Sequence, residues 1–190
     1  MEEIERLTLL ALFAGAASRF GERPAMALVG ETPISYRELN HRIGAVMAWL
    51  QKLGIQKGDR IAILSASIPN WGVSYYAITF MGAIVVPLLP DFHSTEIRNI
   101  LEHSGSKAIF ISEGLLPKIN DVPDQMLPTR IRVEDFTLIL HPGIPVPFEP
   151  GAKPAEFIPL ADDDMAAIIY TSGTTDKSQV VMLTHRNISL

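Results

Sequence analysis

Residues 61–90 read IAILSASIPNWGVSYYAITFMGAIVVPLLP, and none of them is Asp, Glu, Lys or Arg. An uncharged run of that length is enough to cross a bilayer as one helix. Its punctuation argues otherwise. Pro69, Asn70, Gly72, Gly82 and Pro87 cut it into short pieces, and Pro and Gly are the strongest breakers of regular structure. Arg60 to Leu64 reads as a strand. A helix is expected from Pro69-Asn70 to about Met81, ended by Gly82, and Ala83 to Val86 is the next strand. Strands that are apolar on both faces belong to a parallel sheet covered on both sides. The stretch is therefore read as a buried β-α-β unit, with no integral membrane segment.

The pattern extends in both directions. Upstream, Lys57-Gly58-Asp59 is a turn. Ser35 and Glu38 have capping-box spacing. The helix they open carries Leu39, Ile43, Val46, Met47, Leu50 and Leu53 on one stripe, and Gly54 is its expected C-cap. Ala25 to Val29 and Pro33 to Tyr36 flank Gly30-Glu31-Thr32, which reads as a hairpin. Leu9, Leu12, Phe13, Ala16 and Phe20 form the apolar stripe of a first amphipathic helix. Ala14-Gly15-Ala16 resembles a cleavage site, but Glu2, Glu3 and Glu5 outweigh Arg6, the reverse of a secretory signal.

Downstream, Ser94 is placed as the cap of a helix holding Ile97, Ile100 and Leu101. Ser104-Gly105 closes it, and Lys107 to Ser112 is a strand. Alternating strands and helices give the fold class: α/β, with a mostly parallel sheet flanked by helices on both faces. Leu115 to Asn120 reads as a short helix; Ile131 to Val133 and Leu138 to Leu140 read as short strands. Pro142, Pro145, Pro147, Pro150, Pro154 and Pro159 argue against regular structure over 141–159, which is read as an ordered surface connection. Trp71, Tyr75, Tyr76 and Phe80 are assigned to packing.

Composition narrows the function. The chain has 190 residues, 47% of them hydrophobic, and a net charge of −5. That excludes a general nucleic-acid binder working by counterion release. There are no cysteines, which excludes disulfides, thiolate metal sites and a Cys nucleophile and fits a reducing, cytoplasmic setting. No basic amphipathic segment announces lipid binding, and peripheral membrane contact is left open. His41, His93, His103, His141 and His185 include no zinc-protease spacing. Asp162-Asp163-Asp164 is read as a solvated start of a strand in preference to a metal site. His185 is read as lining an acyl pocket or as a surface residue at a helix start.

Chemistry concentrates near the end of the chain. Met165 to Tyr170 is a buried strand. Thr171-Ser172-Gly173-Thr174-Thr175-Asp176-Lys177-Ser178 follows, then a second β-like run from Gln179 to Leu183, with Thr184 as a helix cap. Hydroxyls and backbone N–H groups donate to phosphate oxygens, Gly lets the backbone come close, and Lys adds a point charge. The spacing is not that of a Walker A loop. On composition a polar turn between strands is the commoner account.

Resemblance shifts that balance. Tyr170-Thr171-Ser172-Gly173-Thr174-Thr175 resembles the phosphate-loop signature of the adenylate-forming enzymes, the acyl-CoA synthetase superfamily. Val181-Met182-Leu183-Thr184-His185-Arg186-Asn187, Ser35 to Asn40, Gly54 to Leu64 and Gly82 to Pro87 resemble it too. The resemblance implies a partial N-terminal domain spanning 1–190, with its phosphate loop at 170–178. It implies ATP and Mg²⁺ as co-substrates and coenzyme A as acyl acceptor. A small-molecule carboxylic acid is activated as an acyl-adenylate, and a fatty acid is the expected acid; an amino-acid or aryl-acid adenylation domain is the alternative. By matching position, Thr171, Ser172, Gly173, Thr174 and Thr175 would hold the ATP phosphates, with Lys177 a weaker candidate.

The loop also departs from the family pattern. The family usually has Gly where this chain has Asp176, Pro at Ser178, and Lys-Gly at Gln179-Val180. Asp176 would repel a phosphate charge about 5 Å away by roughly 3 kcal/mol at an effective dielectric near 20. Val180 would be strained if that position requires positive φ. A non-catalytic relative is therefore a third reading. The family's catalytic Lys lies beyond the chain end, so the expectation is a piece inactive by itself, with self-association through an exposed sheet edge.

Overall fold

The computed structural model describes residues 7–140, 144–149, 155, 157–171 and 179–190. Helix α1 (Leu9–Phe20) leads into a small hairpin of β1 (Pro24–Met26) and β2 (Ile34–Ser35). Helix α2 (Tyr36–Lys52) starts at Ser35, whose Oγ accepts from the Glu38 amide at 3.2 Å. Then come β3 (Arg60–Leu64), α3 (Pro69–Phe80), β4 (Ile84–Leu88), α4 (Ser94–Ser104) and β5 (Ala108–Ile111). A 3₁₀ turn (Glu113–Ile119), β6 (Thr129–Arg132), β7 (Leu138–Leu140), β8 (Ile144–Val146), β9 (Met165–Thr171), β10 (Gln179–Thr184) and α5 (His185–Ser189) complete the order.

The main sheet runs β10-β9-β4-β3-β5-β6-β7-β8. Its centre is parallel: β3 pairs with β4 and β5, β4 with β9, and β5 with β6. Antiparallel strands finish both sides. Side chains alternate across the pleat. Ile61, Ile63, Val85 and Phe110 face one layer with α2 and α3 residues Ile43, Met47, Val73 and Phe80. Ala62, Leu64, Val86 and Ile109 face the other with α4 residues Ile97, Ile100 and Leu101. Both faces are thus covered, as the uncharged run requires. The chain leaves β3 for one face and β4 for the other, as right-handed crossovers demand when the strand order reverses.

Two glycines are dictated by geometry. Gly82 ends α3 with φ of 74°, a conformation that costs a side-chain-bearing residue. A Cβ on Gly72 would lie 2.7 Å from Met26 Cε, so Gly lets β1 press against α3. Phe136 breaks the usual rule: its φ is 60° without being Gly. It is 6% exposed and stacks edge-on against Phe110 and Phe148. Phe148 in turn meets Trp49 of α2.

Three expectations change. The cap of α4 is His93, in extended conformation, with its amide donating to Glu96 Oε2 at 2.8 Å; Ser94 is already helical. The short helix expected after β5 is a 3₁₀ turn that contains Pro117. The proline-rich stretch contributes strand β8, in which Pro145 lies opposite Ile139 of β7. An edge strand tolerates Pro because its outward N–H needs no ladder partner.

Candidate functional site

The parallel strands put their carboxyl ends on one edge. Register places Leu64 beside Leu88 and Ile111, and Val85 beside Ala167. Ser65, Leu89, Ser112 and Thr171 therefore stand at that edge. Because β3 and β4 lead to opposite faces, the gap between them is a topological switch point, where open α/β sheets bind ligands. β9 lies next to β4, so its last residue, Thr171, stands beside that gap.

Polar contacts shape this edge. Ser112 Oγ donates to Ser65 Oγ at 2.9 Å, and Ser65 Oγ donates to the Ala66 carbonyl at 2.8 Å. Asn70 at the start of α3 donates through Nδ2 to the carbonyls of Val133 and Glu134 at 3.0 and 2.8 Å. Lys118 Nζ donates to the carbonyls of Pro90 and Phe92 at 2.5 and 2.9 Å, fixing the loop after β4. Further along, Arg132 grips Asp135 with two contacts, of 3.0 and 2.6 Å. Hydrogen bonding to Arg132 is the main cause that holds the Asp135 carboxyl down to about 2.

Thr171 is the last residue of β9 and is exposed, opposite Gln179. Ser172, Gly173, Thr174, Thr175, Asp176, Lys177 and Ser178 lie outside the described residues. Val180 is not strained. Among the described residues Phe136 alone combines a side chain with positive φ, and Val180 is an extended residue paired with Tyr170. A β-branched side chain suits that strand.

The structure separates residues that are close in sequence. β10 runs back along β9, so Thr184 pairs with Met165 at the amino edge. His185, the next residue, sits there too and is 0% exposed. It is not on the surface, and it lies at the edge opposite Thr171. The Leu9 amide donates to its Nδ1 at 3.4 Å, and desolvation lowers its pKa below the usual value. Asp162 to Asp164 are not simply solvated. Asp164 accepts from Lys57 Nζ at 2.6 Å and from the Ala161 amide at 2.9 Å. Asp162 accepts from the Leu7 amide at 3.1 Å, and Arg186 Nε meets Asp163 at 3.2 Å. No cluster of three metal-ligating side chains occurs among the described residues. No described helix is long and apolar enough to cross a membrane. Phe80 is fully buried, but Trp71, Tyr75 and Tyr76 are half-buried and line a groove of about 620 Å³ along α3.

Sequence reasoning missed one pair at the site. His103 Nδ1 lies 2.7 Å from the Tyr170 hydroxyl, immediately before Thr171. The available signal was a Tyr next to the end of an otherwise largely aliphatic strand, since a buried phenol needs a partner.

Residues 13–189 match the family described as AMP-binding enzyme. A long-chain-fatty-acid–CoA ligase of Salmonella typhimurium is 29% identical over 95% of this chain and 37% of its own length. Surfactin synthase subunit 1 of Bacillus subtilis is 29% identical over 94% of this chain and 5% of its own. The solved N-terminal subdomain of Klebsiella oxytoca NpsA, in complex with anthranilyl-AMSN, is similar in fold. Its TM-score is 0.75 and its identity 24%, over 96% of this chain and 42% of that one. The chain spans little more than a third of the ligases it matches.

Proposed function

Because the chain belongs to the AMP-binding enzyme family, we propose that it is the N-terminal portion of an ATP-dependent acid–thiol ligase, with a fatty acid as the acid and coenzyme A as the acceptor. The observation that carries this reading is the position of Thr171, which ends β9 near the β3–β4 switch point and immediately precedes the hydroxyl-rich sequence. In the first step the acid's carboxylate attacks the α-phosphorus of ATP, and pyrophosphate leaves as the acyl-adenylate forms. In the second, the thiol takes the acyl group and AMP leaves.

The task of this chain is to hold the leaving polyphosphate. Thr171, Ser172, Thr174 and Thr175 would donate hydroxyl hydrogens to its oxygens, Gly173 would let the backbone close on it, and Lys177 would add positive charge. Donors fixed in advance stabilise charge as it develops without reorganising. Mg²⁺ arrives on the ATP phosphates and counts as part of that substrate. The choice of a fatty acid rests on likeness to the ligase. Likeness to the surfactin synthase subunit supports the second reading, an amino-acid-activating domain. Asp176 and Gln179 support a third, a non-catalytic relative.

Isothermal calorimetry of Mg-ATP with the chain and with an Asp176→Gly, Gln179→Lys, Val180→Gly variant tests the phosphate role. Binding by the variant alone supports the role and identifies the departures as the cause of lost affinity. Binding by neither counts against a nucleotide role for this chain. The exposed Val180, Val181 and Met182 of β10 also support self-association, which a monomeric sedimentation profile at high concentration would refute.

A further inference from the structure

The β9–β10 hairpin lies at one end of the main sheet. β9 pairs in register with β4 at Ala167 and Val85, and β10 stands at the end of the strand order. Val180, Val181 and Met182 are 42%, 42% and 64% exposed. Between Ala167 and Thr184, Tyr170 is the one buried side chain among the described residues. Its ring packs into the layer that holds Ile97, Ile100 and Leu101 of α4. His103, in the last turn of α4, meets its hydroxyl at 2.7 Å, with the two rings edge-to-face at 5.8 Å. The pair borders a cavity of about 230 Å³ whose other walls are Glu96, Asn99, Ile100 and Val180.

We infer that His103 is a positioning residue: by holding the Tyr170 hydroxyl it fixes the carboxyl end of β9, and with it Thr171, at the mouth of the hydroxyl-rich loop. The effect on nucleotide rests on the phosphate-binding reading above; the effect on the hairpin does not. α4 is a firm anchor, because Ile97 and Leu101 are wholly buried against the sheet. The same helix follows β4 out of the switch point, so the tie joins the end of β9 to the helix that follows β4. A donor array works only while its first residue is held in place. Among the described residues between Ala167 and Thr184, Tyr170 is the one buried side chain, and its phenol is a group by which a neighbouring element can hold it.

The test compares the chain with Tyr170→Phe, His103→Phe, both together, and His103→Gln. Amide hydrogen exchange is followed in peptides covering 168–182 and, as a reference, 60–64 and 84–88. Each single loss is expected to speed exchange in 168–182 by about three- to tenfold, the worth of one hydrogen bond. The double variant should go no further than either single one, His103→Gln should restore most of the protection, and the reference strands should not change. Unchanged exchange in 168–182, an equal rise in the reference strands, or additive single effects would overturn the inference. Repeating the substitutions in the loop-restored variant should weaken Mg-ATP binding by a similar factor. If the restored loop binds no Mg-ATP while the exchange pattern holds, the nucleotide reading fails and the positioning of the hairpin by His103 stands.

Discussion

At the amino edge of the sheet, strand starts are tied by charge: Lys57 to Asp164, Lys107 to Asp59 at 2.7 Å, and Arg186 to Asp162 and Asp163. Buried His185 sits among them. At the carboxyl edge near the switch point the ties are lighter: a Ser–Ser contact, Asn70 and Lys118 on backbone carbonyls, and the Tyr170–His103 bond. The same strands thus end in a closed edge and an open one. The closed edge spends its charged residues on one another. The open edge keeps hydroxyls and backbone carbonyls near its surface, where a ligand can exchange for water. Further from the switch point the carboxyl edge pairs charge too, Arg132 with Asp135 and Glu113, so the contrast is local to the β3–β4 gap.

The sharpest way to break the contrast is to damage what the edges share. Ile63→Ala removes a wholly buried side chain from β3 and should cost about 2–5 kcal/mol. Urea unfolding followed by Trp fluorescence should show the loss, with both edges melting together. If the hairpin melts separately in the parent, the edges are independent units.

The next effect is confined to the amino edge and depends on pH. His185 has a lowered pKa in the folded chain because it is desolvated. The unfolded chain therefore binds a proton below about 6.5 that the folded chain resists. Its contribution is fully present above that pH and is lost as pH falls through the folded value, at no more than about 1.4 kcal/mol per pH unit. His185→Gln should flatten stability between pH 7 and 5; an unchanged slope would assign the dependence elsewhere.

A smaller loss is expected from Asp164→Ala, which removes the acceptors for Lys57 and Ala161. The pair is partly exposed, so about 1 kcal/mol is expected after solvent screening, read as a shift in the urea midpoint. Asn70→Ala at the other edge should cost less than about 1 kcal/mol, because part of its contact is solvent-exposed. It should also leave Mg-ATP binding by any competent loop within about twofold. A larger drop in binding than in stability would draw Asn70 into the site.

Much of this was readable in advance. The uncharged run decided the layers because parallel strands must be apolar on both faces, and the Ser35 cap and the positive-φ Gly82 fell where local rules put them. Other features were set by contacts between distant segments. His185 follows the loop in sequence, yet the return of β10 carries it to the far edge. The acidic run looked solvated until Lys57 and Arg186 were brought to it. Pro145 is admissible in β8 only because that strand is at an edge. The Tyr170–His103 pair joins residues 67 apart, and no local period reports such a pair.

Phe136 has a consequence for which substitutions the chain can accept. A turn with that backbone conformation ordinarily favours Gly, and Gly would relieve the local torsion. Here the ring is also the middle link in a column of aromatics running from Phe110 through Phe148 to Trp49. The usual ranking is therefore inverted at this position: the residue most comfortable in the turn is the one that would break the aromatic column between β5 and α2, and another bulky ring is the nearest acceptable neighbour in sequence space.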